Sequence, residues 1–66
     1  MSDEKLRGVI EEALPNTQFR VSVEGTLYLC YLAGKMRHNR IMVAIGDCVE
    51  FVYPRGSSVG RITRRF

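Results

Sequence analysis

The run Gly34-Lys35-Met36-Arg37-His38-Asn39-Arg40 holds the densest group of chemically useful side chains in the sequence. Three full positive charges stand there without a carboxylate, between two apolar runs and behind a glycine. Lysine and arginine at this density neutralise phosphates and release their counterions, which is the chemistry of polyanion binding. Catalysis finds little to work with. His38 is the sole histidine and reads as a neutral surface residue in a cationic segment, no serine sits in a nucleophile elbow, and no pair of carboxylates lies beside a pocket-forming stretch. Cys30 and Cys48 form neither a CxxC nor a paired metal signature, so they read as free, partly buried thiols, and no cofactor or metal is expected.

The whole chain sets the frame for that segment. Sixty-six residues suit one domain, which at this size buries only about 60% of the surface its unfolded chain exposes. A binding module fits so small a core better than an enzyme does. The net charge of +3 is unevenly spread. Asp3, Glu4, Glu11 and Glu12 outnumber Lys5 and Arg7 before Leu14, whereas residues 35–40 and 55–66 carry seven Lys and Arg and no acid. If the fold joins these two basic segments they form a polyanion footprint; if it does not, they are two solvated faces. No apolar run approaches about 18 residues and no charged and then apolar leader opens the sequence, so a cytoplasmic protein without membrane contact is expected.

Alternation supplies the scaffold. Residues 1–5 offer nothing apolar to bury and are expected to fray. Leu6, Gly8, Ile10 and Leu14 share one parity, giving a first strand in which Gly8 would tolerate a bend or bulge, and Pro15-Asn16-Thr17 turns the chain. Phe19, Val21 and Val23 alternate with Arg20 and Ser22, and Glu24-Gly25 leads into a second run over residues 26–32 to complete a hairpin. In that run Tyr28, Cys30 and Leu32 point one way and Leu27, Leu29 and Tyr31 the other. Ala33-Gly34 then breaks the strand, and residues 35–39 are too few for an independent helix, so only packing can hold a helical turn there. Ile41, Val43 and Ile45 resume the alternation, Gly46-Asp47 turns, and Val49, Phe51 and Tyr53 line the inner face of a fourth strand. A loop over residues 54–58 precedes a last strand over residues 59–64 with Ile62 inward. Phe19, Tyr28, Phe51 and Tyr53 are the expected aromatic core.

The pattern predicts an all-β fold: a five-stranded barrel of the OB type with a short helical insertion between strands 3 and 4, an SH3-like barrel being the alternative. On such a barrel Arg20, Tyr31, Lys35, Arg37, Arg40 and Arg55 would share a surface. Tyr31 is then either a base-stacking platform or a rim residue, Met36 either plugs the barrel end or faces a ligand, and Arg64-Arg65 is either a solvated end or a phosphate clamp.

Gly8-Val9-Ile10-Glu11, Leu14-Pro15-Asn16-Thr17-Gln18-Phe19-Arg20-Val21, Gly34-Lys35-Met36-Arg37 with Asn39 and Ile41, Gly46-Asp47-Cys48-Val49 and Gly60-Arg61-Ile62 together resemble the bacterial translation initiation factor 1 family. The resemblance implies a single S1-like OB-fold RNA-binding domain over residues 1–66, without catalytic activity. It implies a monomer at the aminoacyl site of the small ribosomal subunit, contacting ribosomal RNA at the decoding region near a ribosomal protein, blocking premature tRNA entry and cooperating with initiation factors two and three. Lys35, Met36, Arg37 and Asn39 match the family's RNA-contacting insertion, Arg20 a basic residue beside it, and Arg61 and Arg65 its basic end. Tyr31 stands where the family often has an exposed histidine. This chain departs from the family at Met42, where a basic residue is usual and Arg40 stands two residues earlier. It departs also at Val59, in the loop over residues 54–58, and in a hairpin at Glu24-Gly25 one residue shorter. Two other readings of the residues remain open: a cold-shock-like single-stranded RNA chaperone, and a protein-interaction barrel using Leu27, Leu29 and Tyr31.

Overall fold

A computed structural model describes residues 4–66. Five strands, β1 (Glu4–Leu14), β2 (Gln18–Val23), β3 (Thr26–Leu32), β4 (Cys48–Tyr53) and β5 (Gly60–Arg65), close a barrel in the order β1-β2-β3-β5-β4, with the helix α1 (Gly34–His38) between β3 and β4. All neighbours are antiparallel except β3 and β5, whose parallel pairing sets Cys30, Tyr31 and Leu32 beside Gly60, Arg61 and Ile62. This is the expected OB barrel.

β1 is long because it serves two neighbours. Glu4 to Val9 pair with β4, and Val9 to Leu14 pair with β2, with an irregularity between Ile10 and Glu12. Glu4 and Lys5 are therefore ladder residues opposite Tyr53 and Val52, contrary to the expected frayed start; residues 1–3 of that stretch lie outside the described residues. The bulge falls after Ile10 and not at Gly8, whose role is different. A Cβ on Gly8 would lie 2.7 Å from Val21 Cγ1 and 2.8 Å from Val23 Cγ2 and would strike the Ser22 carbonyl oxygen, so the glycine lets β1 cross β2 at close range.

The inward parity of each strand builds the core: Ile10, Phe19, Val21, Cys30, Leu32, Val49, Phe51 and Ile62 are buried, with Tyr28 and Tyr53 packed partly against them. Tyr28 meets Tyr53 edge to face at 4.9 Å and Phe51 at 5.4 Å, geometries that the ring quadrupole favours. The β2–β3 connection is two residues long, with Glu24 at φ 49° and Gly25 at φ 87°, as a type I′ turn requires.

Residues 41–47 join α1 to β4 and carry the expected turn at Gly46-Asp47, closed by the Asp47 N–H donating to the Ala44 carbonyl at 3.0 Å. Ile41, Val43 and Ile45 alternate as a strand would, yet residues 41–44 join no ladder. Only Val43 packs on the core, while Ile41 and Ile45 are exposed. The segment is instead pinned at its far end, where the Gly46 N–H donates to the Ile10 carbonyl at 2.8 Å and the Ile10 N–H donates to the Asp47 carbonyl at 2.9 Å. Asp47 closes its own turn by accepting from the Ala44 N–H at 2.8 Å.

Candidate nucleic-acid interface

The cationic insertion is a helix that its own sequence does little to hold. α1 has five residues, its N-cap Ala33 offers no side-chain bond, and its first turn has no acid, while Lys35, Arg37 and His38 occupy the last turn. Packing does what propensity cannot. Met36 is 1% exposed and belongs to the core cluster, a burial worth about 1.5 to 3 kcal/mol. The Ala33 N–H donates to the Ile62 carbonyl at 2.9 Å and the Ile41 N–H to the Met36 carbonyl at 2.9 Å, fixing the entrance and exit of the turn. Met36 is thus a barrel plug, which corrects its reading as an RNA contact: its side chain faces the core, and its neighbours face outward because of it.

Lys35, Arg37, His38, Asn39 and Arg40 are exposed. Asn39 forms the C-cap, and Arg40 follows at φ 56°, reversing the chain out of the helix. Among the described residues the ion pairs are Arg20 with Glu12 at 3.1 Å and Arg65 with Asp47 at 4.0 Å. Lys35, Arg37, Arg40, Arg61 and Arg64 make none among the described residues, so their charge is available to a ligand.

Other expected residues are placed differently from one another. Arg61, exposed, stands beside half-buried Tyr31 across the β3–β5 pairing, with Gln18 on the far side of Tyr31. Arg55 lies on the exposed turn between β4 and β5. Arg20 is engaged by Glu12, its cross-strand neighbour on β1. Arg65 braces the 41–47 segment: its Nη1 donates to the Met42 carbonyl at 2.7 Å. Met42 itself is 78% exposed.

Lys35 and Arg64 line one open basin together with Lys5, Glu50, Val52 and Thr63. Sequence reasoning missed Lys5 there because it assigned the residue to a frayed end; only the pairing of β1 with β4 brings it in. It also missed Arg7 and Phe66, whose partnership is equally non-local: the Arg7 guanidinium lies 4.3 Å from the centre of the Phe66 ring and that of Arg64 lies 5.7 Å away. Cys30, fully buried, is no part of this surface; burial pushes its thiol up to about 12, the contact with the Gly60 backbone offsetting little of that. Cys48 is exposed.

A closed OB barrel with exposed cations on a short helix between its third and fourth strands defines a class of small β proteins suited to binding polyanions. The chain is similar to the solution structure of translation initiation factor 1 from the Wolbachia endosymbiont strain TRS of Brugia malayi, with 32% identity and a TM-score of 0.79 over 97% of this chain and 78% of that one. It is also similar to YjeQ from Thermotoga maritima, with 29% identity and a TM-score of 0.79; there 96% of this chain spans 23% of the other. No family model matches the sequence. By its likeness to the first of these the chain belongs to the translation initiation factor 1 family, as a divergent member.

Proposed function

We propose that this protein binds the aminoacyl site of the small ribosomal subunit through ribosomal RNA at the decoding region, blocks premature tRNA entry and cooperates with initiation factors two and three. The observation that carries the reading is the likeness to a translation initiation factor across 97% of the chain, on a fold whose helical insertion presents exposed cations. The protein acts as one RNA-binding domain, as a monomer in the cytoplasm, and by occupancy without catalysis. Lys35, Arg37, Asn39 and Arg40 make the leading RNA contacts from α1 and its exit. Arg61 adds phosphate contacts beside Tyr31, which is partly exposed, and Arg64 extends the cationic surface along β5. Arg20 and Arg65 contribute by exchanging their present partners for phosphate, an exposed pair such as Arg20–Glu12 being worth only about 0.2 to 1 kcal/mol.

Binding of the purified protein to vacant small subunits, with chemical probing of the ribosomal RNA, tests the proposal. Protection of decoding-region nucleotides is the expected result. Protection only at unrelated sites, or tight binding to a protein partner that Arg37→Ala leaves unchanged, would sink it.

A further inference from the structure

Resting on the reading that the partner is RNA, but not on that RNA being ribosomal, we infer that the outer face of β1, β4 and β5 is a second, single-stranded RNA contact, in which Lys5, Lys35 and Arg64 hold phosphate and the ring of Phe66 receives an unpaired base. The geometry has three parts. Lys5 from β1, Lys35 from α1 and Arg64 from β5 come from three separate elements and converge on one open basin of about 420 Å³. The approach of Lys5 and Arg64 is imposed by the register, since Lys5 lies opposite Val52 on β4, and Glu50, the next outward residue on β4, lies opposite both Arg7 and Arg64. Phe66, linked to the basin through Arg64, is 50% exposed yet held in place, its N–H donating to the Cys48 carbonyl at 2.9 Å and its ring lying 4.3 Å from the Arg7 guanidinium and 5.7 Å from that of Arg64.

Cations that track a backbone next to an aromatic plane are the recurrent means of holding unpaired strands, the base stack alone being worth about 1 to 3 kcal/mol. A generic anion needs no ring, and a paired duplex presents no free base to it, so the combination selects unpaired nucleotides. Lys35 and Arg64 belong to both surfaces and make them continuous. Among the described residues Glu50 is the one carboxylate of the basin, and it restrains the basin's affinity for phosphate.

The test uses the full chain and a 12-nucleotide oligouridylate, followed by amide chemical shifts and by binding measured across salt concentrations. Shifts at Lys5, Val52, Thr63, Arg64 and Phe66 are expected. Lys5→Ala with Arg64→Ala is expected to weaken binding about tenfold at low salt and to reduce the salt slope by about 1.4, the loss of two single-strand phosphate contacts. Glu50→Gln is expected to tighten binding several-fold, a gain that misfolding cannot produce. Shifts confined to residues 34–40, wild-type binding by the double variant, or equal shifts of the same amides with polyglutamate would each overturn the inference. Oligouridylate bound at this face by a protein that ignores small subunits would support it while removing the ribosomal assignment.

Discussion

Arg37 projects from a turn whose position depends on the neighbouring Met36, so its charge and the stability of the fold are separable. Arg37→Ala should weaken small-subunit binding roughly tenfold or more while moving stability by less than about 0.5 kcal/mol, read by a binding titration and a thermal melt of the same sample. The two thiols should separate just as cleanly. Cys48 is exposed and should react with a thiol reagent in the native protein, whereas Cys30, buried with its pKa near 12, should react only after unfolding. The same shift sets a direction in pH. The folded thiol keeps its proton where the unfolded one, at about 9.0, loses it, so stability is full below pH 9.0 and declines as pH rises towards 12. Comparison of alkaline melts of the wild type and Cys30→Ala isolates this component.

At the scale of elements the barrel depends on two close approaches. Gly8→Ala would drive a methyl into the Ser22 backbone and the Val21 and Val23 side chains, and a cost of at least about 1 to 3 kcal/mol is expected in a denaturant titration. Met36→Ala removes the plug that seats α1; a loss of about 2 to 5 kcal/mol is expected, with faster amide exchange over residues 34–40 than elsewhere. The β2–β3 hairpin was legible from sequence because its two signals are local: the alternation of Phe19, Val21 and Val23, and a Glu24-Gly25 turn able to adopt positive φ. The alternation of Ile41, Val43 and Ile45 was equally clear and misleading. Alternation reports two unlike faces, but a strand also needs a free edge to pair with, and in a closed barrel each of the five strands already has two neighbours. Lys5 failed in the opposite sense: its segment lacks apolar residues, and its order comes from β4, far along the chain.

Across the whole molecule, topology decides where charge ends up. β1 divides its side chains between two neighbours, so Lys5 and Arg7 join the cations of β5 while Glu12 stands against Arg20 on β2. Glu12, from the acid-rich start of the sequence, is thereby engaged on the β2 side and away from the cations of β5, a separation that composition along the chain hinted at but could not locate. With about 6 to 10 phosphate contacts, affinity for small subunits should fall on the order of 10³- to 10⁵-fold between about 50 and 200 mM salt. A nearly flat response would show that the interface is not electrostatic.

The parallel pairing of β3 with β5 also governs how the chain reaches its fold. β1, β2 and β3 follow one another and can pair by short turns, but β3 and β4 each keep an open edge until β5 arrives between them. Ladders of such long sequence separation form slowly, in milliseconds to seconds for small barrels of this kind. Until then the chain exposes two unpaired strand edges to its neighbours, the condition in which β proteins aggregate. β5, the strand that supplies Arg61 and Arg64 to the proposed RNA surface, is thus also the strand that keeps a newly made molecule from pairing with another copy of itself.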